Sequence, residues 1–454
     1  MPLNKPEDVL KQIRRSEATK VKVAITDLDG VLRGKFIHVD KFLSAAESGF
    51  GFCNVVFGWD SQDQAYDNVE YTGWHTGYPD AKVSLDLTTF RQVPWDGNVP
   101  FVLGDFVDED DRPLSVCPRQ LLKQIVAQAE IAGLFPVIGL EFEFFNFRES
   151  PQTLAGKSVH EPVPLTPGMF GYSLQRSGSE RAYFNAIYDQ MHDFDVPIES
   201  FHTETGPGVY EAAIQAADAL EAADRAVLFK GGVKEIANAH GFTASFMARW
   251  NARFPGSSGH IHQSLRNAEG ANVFHDPADP VKMSRVFRSY LAGQIHCLPE
   301  ILPVFAPTVN SYKRLVEGYW APTRVTWGAD NRTVCMRVIP GGERSTRLEL
   351  RVGGADLNPY LAVAGALAAG LYGIENGLEL TTPMTEGNGY ADKDAVRLPR
   401  NLEEATERFA ESRLARELFG DRFVDHFANT RRWEWRESQK AITDWELQRY
   451  FEII

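Results

Sequence analysis

Four short segments place charged side chains where a sheet protein ordinarily places apolar ones. In Leu140-Glu141-Phe142-Glu143-Phe144 two carboxylates stand at i and i+2, so a strand there points both to one face and its rings to the other. Gly259-His260-Ile261-His262-Gln263-Ser264 presents two imidazoles on one face in the same way. Arg347-Leu348-Glu349-Leu350-Arg351 alternates charge with leucine, and in ETGPGVYE two carboxylates, Glu204 and Glu211, flank a Gly-Pro turn. Taken singly, each pattern reads as a solvated strand face. Together they gather five carboxylates, Glu141, Glu143, Glu204, Glu211 and Glu349, and like charges in a partly dry site repel at a cost of several kcal/mol. Divalent cations remove that cost. Donors that are mostly carboxylate with a single imidazole suit a hard ion such as Mg²⁺ or Mn²⁺ rather than Zn²⁺. Arginines nearby add donors for phosphate oxygens. Carboxylate-held metals facing arginines are what phosphoryl transfer from a nucleotide requires.

The elements that must position these residues are legible in outline. The first hundred residues read as short β-rich pieces: VKVAITDLDG, VLRGKFIHV, KVSLDLTTF and VPFVLGDFV, broken by Gly, Pro and Asp. Between them, 58–77 is a long polar stretch rich in aromatics, and loops of that length are more often functional than idle. A boundary falls near 113–118, after which RQLLKQIVAQAEIAG has helical spacing and stops at Gly133. FPVIGLEFEFFNF reads as a strand, 211–240 as helices interrupted at Gly231-Gly232, and TASFMARW as a strand. GHIHQSL, TVCMRVIPG and STRLELRVGG are further strands, a buried helix begins at Asn358, and amphipathic helices run from Leu402 onward. The expected class is α+β: a small β-rich N-terminal domain over 1–112, and a large domain over 113–454 built on an antiparallel sheet.

Composition narrows the options. The formal net charge of -14 argues against non-specific nucleic-acid binding and against an anionic membrane surface. The opening residues MPLNKPEDVLKQIRRSE lack the apolar core of a signal peptide. The longest uncharged apolar run, 360–374, is shorter than the roughly 20 residues of a membrane span. Cys53, Cys117, Cys297 and Cys335 are scattered without a CxxC pair, which predicts free thiols and a reducing cytoplasm.

The order of these motifs resembles the glutamine synthetase superfamily along nearly the whole chain. The matching segments are DLDGVLRGK, GLEFEFF, ETGPGVYE, ANAHGFTASFM, GHIHQSL, NSYKRLVEGYWAP, ADNRTVCMRV and RLELRVGGADLNPYLA. The resemblance implies a β-grasp-like N-terminal domain and a catalytic domain with a curved antiparallel sheet flanked by helices. It implies two or three Mg²⁺ or Mn²⁺ ions, one site made by Glu143, Glu204 and Glu211 and a second by Glu141, His260 and Glu349. His262 and Ser264 match positions close to ATP. Arg332, Arg337 and Arg347 match arginines that hold ATP phosphates and the transferred phosphoryl group. Arg314 and Arg351 match arginines for the carboxylates of glutamate, and Gly256 matches a backbone position against that substrate. The implied reaction forms γ-glutamyl phosphate from glutamate and ATP, and an amine then displaces phosphate. The family assembles as rings of six subunits, single or stacked, with each site shared with a neighbour's N-terminal loop.

Two departures concern the amine. Ammonia-using members carry Glu where EGYWAP has Trp320. Trp cannot accept a proton and offers a large apolar face instead. The family's Phe-Asp-Gly-Ser-Ser loop corresponds loosely to Phe57-Gly-Trp-Asp-Ser-Gln62, leaving Asp60 as the candidate base, with Asp63, Asp67 and Glu70 behind it. The expectation is a γ-glutamyl amide of a small organic amine rather than glutamine, with the ammonia-using enzyme as the alternative. The resemblance is closest to the branch that makes γ-glutamyl amides of polyamines or monoamines, and Trp59, Tyr71, Trp74 and Trp320 point to a monoamine. Pro255 replaces the Asn usual before Gly256, which alters contacts near the acid. A non-catalytic structural homologue would have lost ligands that are all present here. A guanidino kinase would not need the glutamate arginines. Tyr390, in GNGYADKD, lacks the neighbours of the tyrosine that some bacterial members adenylylate, and reads as an exposed loop residue.

Overall fold

The computed structural model describes residues 5–108, 110–157 and 161–454. The N-terminal sheet contains β1 (Lys20–Thr26), β2 (Leu32–His38), β3 (Phe50–Cys53), β4 (Asp80–Val93) and β5 (Val99–Val107), in the order β2-β1-β5-β4-β3. The Asp-Gly signal after β1 makes a hairpin. Gly30 takes φ +77°, and Asp27 Oδ1 accepts the N–H groups of Asp29 at 3.0 Å and Val31 at 2.9 Å, as a short acidic side chain does in a turn. β1 pairs in parallel with β5, and helix Val39–Ser48 buries Phe42 and Ala45 against the sheet.

The large sheet has nine strands: β6 (Phe135–Phe147), β7 (Ile198–Thr203), β8 (Val209–Ile214), β9 (Ala217–Asp218), β10 (Thr243–Ser245), β11 (Gly259–Arg266), β12 (Trp327–Ala329), β13 (Met336–Ile339) and β14 (Arg347–Leu350). Its order is β12-β13-β14-β11-β6-β8-β7, with β9 and β10 also on β6. Every pair but one is antiparallel. β12 and β13 run parallel, because a loop turned by Asp330 at φ +47° and tied by Asn331 Oδ1 to the Thr333 N–H returns the chain alongside itself. β6 alternates as its sequence requires. Phe142 and Phe144 are fully buried and pack on Phe229 of helix Ala219–Ala239 and on Phe246, while Glu141 and Glu143 face the other way.

Two sequence expectations fail here. Residues 211–214 belong to β8, and one unbroken helix, Ala219–Ala239, runs through Gly231-Gly232. Gly232 is there for space. A Cβ on it would meet Met191 at 2.4 Å and Trp95 at 2.7 Å, and close packing outweighs the helix propensity lost. TASFMARW is a strand only over Thr243–Ser245. Helix Pro359–Glu375 is buried on almost every side. No helix among the described residues is long and apolar enough to cross a membrane, and the four cysteines are free.

A buried ionic cluster joins the N-terminal sheet to helices that follow it. Arg119, 3% exposed, opens helix Pro118–Ile131 and bonds Asp105 at 2.7 Å, Asp224 at 2.8 Å and Asp86 at 2.9 Å. Lys123 adds contacts to Asp105 at 2.5 Å and Asp86 at 3.1 Å. Tyr360 donates to Asp224 at 2.6 Å. The 58–77 loop lies on the chain's own helix Asp421–Ser438: Tyr66 packs edge-on against Trp433, Asn68 donates to Asn429 O at 2.7 Å, and Arg436 pairs with Asp67 at 2.6 Å.

Candidate active site

Sheet register assembles the charged residues. Across β6 and β11, Glu141 stands opposite His260; across β6 and β8, Glu143 stands opposite Glu211. Glu349 of β14 lies beside His262 of β11 on one side and Arg337 of β13 on the other. All of them line one cleft of about 750 Å³, with Glu204, Gly256, Arg314, Arg332, Arg347, Arg351 and Trp320. Ser264 faces a second cavity of about 640 Å³ that shares His262, Arg344 and Arg347 with the first. The two cavities adjoin across those shared residues.

Two donor groups stand out within the cleft. Glu141, His262 and Glu349 offer ligand atoms within 4.8 Å of one another, and so do His202, Glu204 and Glu211. His260 Nδ1 lies 2.6 Å from Glu141 Oε1 and 3.3 Å from Glu349 Oε1, and His262 Nε2 lies 3.3 Å from Glu141 Oε2. Glu143 abuts the other group, and its Oε2 accepts the Ser258 N–H at 2.7 Å. His202 is the ligand candidate the sequence reading missed. It stands opposite Glu211 on β7, 3.7 Å from it, and its ring stacks on Tyr172 at 4.5 Å.

The electrostatics ask for cations. Burial, with Glu141, Glu143 and Glu204 around it, pushes the Glu211 carboxyl up to about 10. Burial keeps His260 and His202 below the usual imidazole range, against the pull of neighbouring carboxylates. Each of these rings has a buried Nε2 without a hydrogen-bond partner, and a neutral imidazole nitrogen is a ligand in waiting. Glu349 differs. Burial raises it, but Arg351, then His260 and His262, hold it at about 2. Crowded carboxylates with free imidazole donors fit two divalent ions, and the mostly oxygen donor set fits hard ones.

Arginines line the rest. Arg337 bonds Glu349 at 2.8 Å and Asp330 at 2.5 Å, Arg347 reaches His262 Nδ1 at 3.1 Å, and Arg351 pairs with Glu349. Arg314 is held by the carbonyls of Val352 at 3.0 Å and Arg351 at 3.3 Å. Burial lowers its pKa to about 10, so it stays cationic at neutral pH. Gly256 is fixed by space rather than by φ: a Cβ would come 2.4 Å from Ala248 O and 2.8 Å from Arg314 Cγ.

Asp60 is the candidate the structure does not bring in. Its Oδ1 accepts the N–H groups of Gln62 and Gln64 at 2.8 and 2.9 Å, and Trp433 Nε1 donates to Oδ2 at 3.0 Å. Both oxygens are thus committed to holding the 58–77 loop on helix Asp421–Ser438, away from the cleft of its own chain. Tyr390 also departs from expectation. It is half-buried, with its hydroxyl shut off from solvent.

Comparison with known proteins fits this geometry. A family model described as "Glutamine synthetase, catalytic domain" matches residues 115–450. Over its full length the chain is 50% identical to type-1 glutamine synthetase 2 of Dictyostelium discoideum, spanning 87% of that protein. It is 38% identical to the glutamate–isopropylamine ligase of a Pseudomonas species over 97% of each chain. A solved GmaS–ADP complex superposes with a TM-score of 0.86 at 29% identity, covering 98% of this chain and 99% of that one.

Proposed function

We propose that this chain, which belongs to the glutamine synthetase family and is an ATP-dependent ligase, joins the side-chain carboxylate of L-glutamate to a small organic amine in preference to ammonia. The observation that carries the choice of amine is Trp320. It sits at the cleft mouth with 58% of its surface exposed, offering an indole face where a proton-accepting carboxylate would serve ammonium. The relative named for isopropylamine supports the same choice. The relative named a glutamine synthetase, at 50% identity, favours the rival reading, in which ammonia is the amine.

On this reading Glu143, Glu204 and Glu211, joined by His202, hold one Mg²⁺ or Mn²⁺, and Glu141, His260 and Glu349 hold another beside His262. When bound, the ions neutralise the carboxylates and the charge developing on the phosphates. ATP enters along the Ser264 cavity. Arg314 and Arg351 seat the carboxylates of glutamate against the backbone at Gly256. Arg332, Arg337 and Arg347 face the transferring phosphoryl group, and Arg337 and Arg347 stabilise it without reorganising, because Glu349, Asp330 and His262 already hold them. The glutamate side-chain oxygen attacks the γ-phosphorus, ADP leaves, and the amine then attacks the acyl carbon as phosphate leaves. Glutamate in a fixed pose makes the first step effectively unimolecular.

The remaining parts of the proposal are a cytoplasmic location, an N-terminal β-grasp-like domain ending near 112, and a hexameric or double-ring assembly. In that assembly the 58–77 loop of a neighbour would close the cleft. The test is phosphate release from ATP with Mg²⁺ and glutamate against ammonia, short alkylamines, aromatic monoamines and polyamines. Turnover with an organic amine and little with ammonia supports the proposal. Fastest turnover with ammonia defeats it.

A further inference from the structure

Residues 317–322 carry Trp320 to the cleft mouth with no helix or strand of their own. Gly318 has φ +83° and Trp320 φ +60°, a conformation a bulky side chain keeps only when its surroundings enforce it. Contacts hold the segment at its start, at its centre and at Trp320 itself, whose backbone meets the Tyr390 hydroxyl. Lys393 Nζ reaches Glu317 Oε2 at 3.2 Å, but both side chains are exposed, so that pair is screened and weak. At the centre, the Arg249 guanidinium lies 4.4 Å from the centroid of the Tyr319 ring, the geometry of a cation–π contact. Arg249 is an immobile platform. It donates to Phe254 O at 3.2 Å, Lys313 O at 2.9 Å and Ala252 O at 2.8 Å, and its backbone N–H bonds Asn310 Oδ1 at 2.8 Å.

We propose that Tyr319 is a positioning residue for the amine half of the reaction: stacked on Arg249, it holds Trp320 in its strained pose and so fixes the indole face that meets the amine. The idea rests on the reading that Trp320 contacts the amine. It separates the two halves of the cleft in a definite way. Arg249 also braces 252–254, which lead to Gly256 on the acid side, so losing Arg249 would disturb both substrates. Losing only the Tyr319 ring leaves that brace intact and should disturb the amine alone.

The test compares full-length Tyr319→Leu and Tyr319→Phe with the wild type. One arm measures hydrogen exchange of peptides covering 315–323. The other measures KM and kcat for glutamate, ATP and whichever amine the wild type uses best. In Tyr319→Leu the segment's amides should exchange faster, and the KM for amine should rise roughly twofold to fivefold, the scale of a lost exposed cation–π contact. The KM values for glutamate and ATP should hold. Tyr319→Phe, which keeps the ring, should behave as wild type. Unchanged exchange in Tyr319→Leu, or amine and glutamate KM values rising together, overturns the proposal. So does a Tyr319→Phe variant as defective as Tyr319→Leu, since the hydroxyl would then be the group that acts. Should the wild type prefer ammonia, the organic-amine reading fails by itself, and the exchange comparison still decides whether Tyr319 holds the segment.

Discussion

Two clusters of buried charge sit within one chain and are balanced in opposite ways. At the junction of the N-terminal sheet with helices Pro118–Ile131 and Ala219–Ala239, Arg119 and Lys123 face Asp86, Asp105 and Asp224, and at Asp86 the partners outweigh burial. Burial alone would raise Asp86, yet Arg119 and Lys123 hold it well below the usual carboxylate range. In the cleft, Glu349 is matched by Arg337 and Arg351, but Glu211 faces chiefly other carboxylates and is driven up to about 10. At the junction each carboxylate touches a cationic side chain, whereas Glu211 in the cleft is set among Glu141, Glu143 and Glu204. Burial and acidity alone therefore do not mark a metal site; a carboxylate crowded by carboxylates beside unpartnered imidazole nitrogens does.

The comparison can be broken most forcefully in the cleft. Exhaustive chelation should abolish ligase activity and added Mg²⁺ restore it, while the chelated protein stays folded by circular dichroism because the junction needs no metal. Full activity after chelation would end the argument. Glu349→Ala should lower kcat by roughly 10²–10³-fold, as removing a preorganised charge does, and steady-state kinetics will read it.

At the junction the order reverses. Arg119→Met leaves three carboxylates short of a partner and should cost about 3–5 kcal/mol in denaturant unfolding, with kcat of the folded fraction little changed. An unaltered unfolding midpoint would show that the junction does not hold the N-terminal sheet to those helices.

The smallest effect, per unit of pH, is expected at Lys230. It is buried, donates to Leu357 O at 2.8 Å and lies over the rings of Phe142 and Phe246. Burial, with Lys234 nearby and only partial relief from Asp356 and Asp29, lowers its pKa from 10.5 to about 7. The unfolded chain keeps this proton to higher pH than the folded one, so stability rises with pH between about 7 and 10.5, and the penalty is full below 7. Thermal melts across that range should show wild type gaining on Lys230→Met by on the order of 1 kcal/mol for each pH unit. Parallel curves would contradict the assignment.

The cleft was legible because its signal is local. LEFEF, HIHQS and RLELR each declare a face by period two, and antiparallel pairing supplies the rest. His202 could have been found by the same rule, since His202 and Glu204 stand at i and i+2 in FHTETG. The junction was not legible. Arg119 sits in an otherwise ordinary helix, and its partners are 14, 33 and 105 residues away. The Gly231-Gly232 pair misled for a similar reason, because the side chains of Met191 and Trp95 that require it come from distant segments. Asp60 fits its motif position but spends both oxygens on its own loop and Trp433, a contact spanning 373 residues.

The central claim is the identity of the amine, and competition tests it most directly. Glutamate, ATP and Mg²⁺ would be supplied with ammonium and a panel of monoamines at equal concentration, and the products weighed by mass spectrometry. The account predicts a γ-glutamyl amide of an organic amine in excess over glutamine, with the excess reduced in Trp320→Glu. Glutamine as the main product of the wild-type enzyme would contradict it.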